Sequence, residues 1–310
     1  MHYLCRLLLL QFLLLFLAVH PAFAEEPSFT SRPGFLLAAP TNVSTKLRME
    51  ADVSYVENSD FTNGLGSVAV ARTTISADYS IFHFSYGISH FMWEDKGQVT
   101  FASSHREPWD NLYDVTLQAR LLNNRFWENW RYWVNGELSS SFERDFPGAV
   151  GAGFDGGVAY DFWDGWMLGI TAKTVALSAL HQDLFGDVEF GLAVAVSQKT
   201  LRETLKRMGF FPALPGGSDK IGFSMALSGA DKTYRLSPDS PVRKNGYLGL
   251  VRAKVGAYLD YSPDKSWTIS VGPEYHYNRR YKLYDSQGKL HSTHRLADGW
   301  GGYARVLYTF

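Results

Sequence analysis

Apolar residues recur at every second position over most of this chain, which is the period of a β-strand and not of a helix. In "KLRMEADVSYV" one parity carries Leu47, Met49, Ala51, Val53 and Tyr55, and the other carries Arg48, Glu50, Asp52 and Ser54. "YDVTLQARL" divides in the same way, setting Tyr113, Val115, Leu117, Ala119 and Leu121 against Asp114, Thr116, Gln118 and Arg120. Further on, Tyr247, Val251, Val255, Leu259 and Tyr261 oppose Arg252, Lys254 and Asp260. Trp267, Ile269, Val271, Tyr275 and Tyr277 likewise oppose Glu274, His276, Asn278 and Arg280. About twelve strands are expected, at 45–57, 66–76, 79–92, 112–122, 130–143, 149–162, 165–176, 187–197, 219–229, 246–261, 265–283 and 297–310.

A soluble sandwich alternates too, so the connections carry the distinction. Tight links are expected near Ala77–Tyr79, Asp161–Gly165 and Ser262–Lys265, and long polar ones at 93–111, 177–186, 230–245 and 284–296. Short turns on one side and long loops on the other are the habit of a transmembrane β-barrel. The link 122–130 reads as medium length, and residues 200–209 of "TLRETLKRMGFFPALPGG" read as a short amphipathic helix. The turns in "YDFWDGW" and "LDYSPDKSW" are flanked by aromatic rings, which collect at membrane interfaces.

Composition supports the same class: 15% of residues are aromatic and 28 are Gly, while no apolar run after residue 24 is long enough for a transmembrane helix. Thirty basic residues against 31 acidic ones give no ground for a nucleic-acid partner. The start, "MHYLCRLLLLQFLLLFLAVHPAFA", has Arg6, an apolar run from Leu7 to Val19 and small residues at Ala22 and Ala24. This is the pattern of an export signal cleaved after Ala24. The single cysteine, Cys5, would leave with it, so no disulfide is expected. The expected organisation is a signal at 1–24, a lead-in at 25–42 and one barrel at 43–310. Hydrocarbon offers backbone groups no partners, so strands crossing a membrane must close on themselves. The fold class is therefore all-β, a transmembrane antiparallel up-and-down barrel of about 12 strands, with 10 or 14 as alternatives.

The chain ends in "GGYARVLYTF". With its export signal and this aromatic final strand, it resembles Gram-negative outer-membrane β-barrel proteins across the whole mature length, in pattern and at the level of the broad class. The resemblance implies location in the cell outer membrane. It also implies that Val306, Tyr308 and Phe310 form the signal read by the barrel-assembly machinery.

Period two sends one set of charges inward: Arg48, Glu50, Asp52, Asp114, Arg120, Glu137, Arg252, Lys254, Glu274, His276, Arg280 and Arg305, with Asp155, Lys173, Glu189 and Asp260 beside them. Both signs are present, so the set suits either a narrow path for small polar solutes or cross-lumen pairs in a filled barrel. A non-enzymatic, porin-like channel is the leading expectation. The alternatives are a filled barrel that works through its surface and a lipid-modifying enzyme. For the last, Ser89 and His90 cannot form a dyad because adjacent strand residues face opposite ways; a protease barrel would need paired acids and a His on the outer rim, and Asp231, Asp239, His291 and His294 sit in expected outer loops, where such residues are usually solvated. No cofactor is expected. His291 and His294 lack the cysteines or carboxylates of a metal site. Arg279, Lys282, His291, His294 and Arg295 are candidate contacts for lipopolysaccharide phosphates.

Overall fold

The computed structural model describes residues 44–310 apart from 63–65, 95–108, 145–148, 164–165, 179–183, 197–202, 205, 209–220, 241 and 265. The expected signal and lead-in lie outside the described residues. Thirteen strands follow in order: β1 (Ser44–Asp60), β2 (Ser67–Ser80), β3 (Phe82–Trp93), β4 (Asn111–Trp127), β5 (Trp130–Phe142), β6 (Ala149–Trp163), β7 (Trp166–Ser178), β8 (Leu184–Val196), β9 (Ile221–Arg235), β10 (Tyr247–Tyr261), β11 (Trp267–Tyr284), β12 (Leu290–Leu296) and β13 (Gly299–Thr309).

Each strand from β1 to β11 pairs antiparallel with the next. Beyond β11 the ladder divides. β12 lies against Arg279–Tyr284 and β13 against Trp267–His276, end to end along the same strand. They make one stave between them, and the barrel has twelve. β13 closes it by pairing with β1 from Arg48↔Thr309 to Val56↔Gly301, and the Phe310 N–H donates to Leu47 O at 3.0 Å. Closure gives every strand two neighbours, as a membrane demands.

The outer face is apolar. Val53 and Tyr55 of β1, Ile75 of β2, Ile170 of β7, Leu259 of β10 and Val271 of β11 are all exposed there. Aromatic rings gather at the terminal end, where Trp267 lies 4.5 Å from Tyr308, and Tyr308 lies 4.7 Å from Phe310. An outward apolar band with aromatic margins around a polar interior makes this a membrane-spanning barrel of the outer-membrane type. Ser44, Phe310 and the far ends of β2, β4, β6, β8 and β10 occupy one end, and between β8 and β9 residues 203, 204, 206 and 207 are helical. The far ends of β1, β3, β5, β7, β9 and β11, with the described loop residues that follow them, occupy the other.

Several expected boundaries shift. The β2–β3 turn sits at Ile81, with Ser80 at φ 55°, rather than at 77–79. The link 122–130 is tight, because β4 runs on to Trp127 through bulges after Arg120 and Arg125. The first bulge makes Leu122, and not Leu121, the exposed neighbour of Ala119. The supposed loop 284–296 is a hairpin. The Asp285 carboxylate accepts from the N–H groups of Gln287 and Lys289 at 2.9 Å each, and Gly288 takes φ 86°. β9 likewise continues to Arg235 through residues expected in a loop. These extensions rise beyond the apolar band, where both faces of a strand can be polar and periodicity fades.

Candidate functional site: a charged lumen under an apolar mouth

The inward parity encloses a cavity of about 280 Å³. Arg48, Glu50, Asp52, Asp114, Arg252, Lys254, Glu274, His276 and Arg305 line it. Arg120 and Glu137 lie inside the wall, 7% and 3% exposed. Among Lys, Arg, Asp and Glu, seven cationic and seven anionic side chains face the space.

Arg280 does not face the lumen. Asn278 adopts φ 53°, and between Tyr277 and Arg280 β11 carries one residue more than β10 opposite it. This β-bulge reverses the facing of everything beyond it. Arg280 is exposed on the outside, while Arg279 turns inward, donating to Ser59 Oγ at 2.8 Å and Ala297 O at 3.2 Å. Of the candidate lipopolysaccharide contacts, Arg279 is thus interior. His294 is buried too, in the β12 position opposite Tyr281. Lys282 stays outside, bound to Asp231 at 2.6 Å, and His291 and Arg295 are exposed.

Four charged lining residues escape the parity reading: Arg72, Asp78, His83 and Lys232. Arg72 follows "SVAVA", where no neighbouring charge announces a polar face, and Lys232 lies in an expected loop. Both matter to the architecture. The Asp114 carboxylate on β4 meets Arg72 of β2 at 2.9 Å and Lys232 of β9, whose strand lies on the far side of the lumen. The three side chains form a crossbar through the barrel. Gly87 of β3 lies beneath it, and a Cβ there would come within 2.7 Å of Asp114 Oδ2 and 2.8 Å of Arg72 Nη2. A side chain at this position would push the two charged ends aside.

Other pairs link staves along the wall. Glu274 accepts from Lys254 Nζ at 2.6 Å and from the Tyr258 hydroxyl at 2.7 Å, and it shares a hydrogen bond with His276 at 3.0 Å. Arg305 holds Glu50 at 2.6 Å across the closing seam. Lys173 holds Glu137 at 2.6 Å, while Gln118 donates to the other Glu137 oxygen at 2.8 Å. His83 pairs with Asp78 at 2.7 Å. Each carboxylate here has a cation or donor beside it, as buried charge requires.

At the loop end the interior changes character. Phe61, Phe91, Trp93, Trp109, Leu112, Tyr234, Leu236, Leu248, Tyr281, Leu283 and Leu296 pack into one buried cluster. Trp109 meets Trp93 edge to face at 5.4 Å and Phe91 at 5.7 Å, and the Trp93 indole donates to Trp109 O at 2.7 Å. The mouth is also drawn in by the backbone. β9 parts from β8 after Asp231 and reaches β5, where Phe142 pairs with Arg235. The Glu143 N–H donates to Arg235 O at 2.9 Å, and the Glu143 carboxylate accepts from the Ser237 N–H at 2.9 Å. Thr233 N–H donates to Asp187 at 2.7 Å in the gap left behind. The lumen is therefore a polar chamber beneath a dry lid.

No family model matches the chain, and no curated protein matches it. Among solved structures it is similar to the KdgM porin (10% identity, 84% of this chain and 99% of that one, TM-score 0.41). It is similar also to the NanC porin (11%, 84% and 98%, TM-score 0.42). A third is the beta domain of the Bordetella autotransporter BrkA (11%, 85% and 99%, TM-score 0.43).

Proposed function

We propose that this protein is a non-enzymatic, channel-like outer-membrane barrel for small polar solutes, closed at its outer mouth in the conformation described. The carrying observation is the charge-balanced cavity of about 280 Å³. A barrel filled only for support gains nothing from open space lined by ions. Buried charges are costly unless paired or hydrated, and Arg48 and Arg252 face the cavity with no ion-pair partner among the described residues. Equal numbers of both signs suit weak charge selectivity and passage of neutral polar solutes. Planar-bilayer recording tests this reading. Low or intermittent conductance is expected from the parent protein, and larger steps from Trp109→Ala, which opens the apolar layer. Silence from both proteins overturns it.

A second reading is favoured by the β5–β9 bridge: a filled barrel that works through its loops. Silence in bilayers, with both proteins folded, selects this one. Neither reading includes catalysis, since Asp231 is taken by Lys282 and His294 is buried. Hydrolysis of phospholipid by the folded protein would overturn both. In either case Val306, Tyr308 and Phe310 act as the signal for the barrel-assembly machinery.

A further inference from the structure

Along the outer face of β11 three zones follow one another. Trp267, Ile269 and Val271 are exposed and apolar. Tyr275 and Tyr277 come next, stacked at 6.4 Å, with Trp300 of β13 5.1 Å from Tyr275. Beyond the Asn278 bulge stands Arg280, directly opposite Arg295 of β12, and both are exposed. Aromatic rings mark the membrane interface, and Arg280 lies three residues past Tyr277, roughly 10 Å along the strand. That is the level of lipid headgroups rather than of hydrocarbon or open water.

Two like charges directly opposed across an antiparallel pair repel one another. Neither guanidinium has an ion pair among the described residues. Of the nearby carboxylates, Asp231 of β9 is taken by Lys282, and Asp60 at the end of β1 makes no ion pair with Arg295 within 4.0 Å. The Asp298 carboxylate accepts from the Asn278 backbone N–H at 3.2 Å. The hairpin holds both arginines on a rigid ladder, closed by the Asp285 turn. Paired guanidinium forks at a fixed spacing match the oxygens of a phosphate group.

We propose that Arg280 and Arg295 form a phosphate clamp for an anionic glycolipid of the outer leaflet, with one phosphate bridging the two guanidiniums. His291 is exposed on the same face of the same strand as Arg295. The clamp is independent of whether the lumen conducts.

The test uses the full barrel in detergent and native mass spectrometry, with phosphorylated lipid A and its dephosphorylated form as probes. The parent protein is expected to retain the phosphorylated lipid. The double variant Arg280→Gln/Arg295→Gln should lose at least about tenfold in retention, while Lys282→Gln retains it. Arg280→Lys/Arg295→Lys keeps the charge without the fork and should fall between. Heat-modifiable gel mobility verifies that each variant is folded, and single Gln variants take the place of a double that is not. Undiminished retention by the folded Gln variants, or equal retention of dephosphorylated lipid A, overturns the proposal. Displacement of the lipid by inorganic phosphate at low concentration would reassign the pair to a free anion and overturn the lipid clamp.

Discussion

The chamber and the mouth of this barrel are built largely by the same strands, yet one is lined by charges and the other is packed with apolar side chains. In the chamber, staves stand apart across open space, and charges remain tolerable because partners and water are both within reach. At the mouth, β9 leans onto β5 and the interior narrows until side chains from opposite walls touch. Polar groups there lose water, so the few that remain, such as Glu143, Asp187 and Arg279, are each hydrogen-bonded, and aromatic and aliphatic residues fill the rest. The inward face of a barrel therefore has no fixed polarity; its width at each level decides.

The largest effect should come from the dry side. Phe91→Ala or Trp109→Ala removes a ring from a packed cluster and should cost about 3–5 kcal/mol of stability, measured by denaturant unfolding in detergent. An undiminished midpoint would mean the mouth is not a true core. Next is Asp114→Ala, which strands Arg72 and Lys232 and should cost about 3 kcal/mol. The triple replacement Arg72→Met/Asp114→Leu/Lys232→Met should be close to neutral if the crossbar supplies specificity rather than stability. A large loss in the triple variant would show that chamber charges stabilise as strongly as the mouth.

Gly87→Ala sharpens the contrast further. Its Cβ would displace the Arg72–Asp114 pair, and the expected cost is about 1–3 kcal/mol. At the far end, deletion of Phe310 should lower the membrane-inserted fraction strongly while shifting unfolding by less than about 1 kcal/mol, since one terminal ring is lost. Normal insertion would argue against an assembly role for the terminal strand. The smallest expected effect lies in the exposed β11–β12 turn. The Lys289 N–H first, and the Gln287 N–H after it, hold the Asp285 carboxylate below its ordinary range. A depressed carboxylate supports the turn above its unfolded value, and that support fades as pH falls through the lowered one. The protection factor of the Lys289 amide, its exchange rate relative to the intrinsic rate at the same pH, should therefore fall on acidification, with no change near neutrality.

The closing seam was legible in the sequence because its alternation is unbroken. "GGYARVLYTF" and "KLRMEADVSYV" place Arg305 opposite Asp52 and within reach of Glu50, with Val306 and Phe310 outside. Legibility ends at bulges. In "YHYNRRYKLY" only Asn278, a residue that tolerates positive φ, hints that Arg279 and Arg280 exchange faces. The dry mouth was hidden for a different reason. Trp109, Leu236 and Val242 stand outside the strands, in stretches whose polarity reads as loop, and nothing local says that they turn inward to meet Phe91 and Leu248. That contact depends on which distant strands converge, and no short window of sequence encodes it.

The β5–β9 bridge also carries a matter of arithmetic. At the mouth a circuit of hydrogen bonds runs from β1 to β5, steps to β9 and returns through β10, β11 and β12, leaving out β6, β7 and β8. Up-and-down neighbours alternate in direction, so dropping an odd number of staves must bring together two that run the same way. β5 and β9 do run parallel, and they meet at a single residue pair, Phe142↔Arg235. Such a junction cannot zip onward as the antiparallel ladders do, which makes it a seam of limited length set into an otherwise continuous wall. Widening the mouth would then require one joint to part while all twelve staves keep their partners.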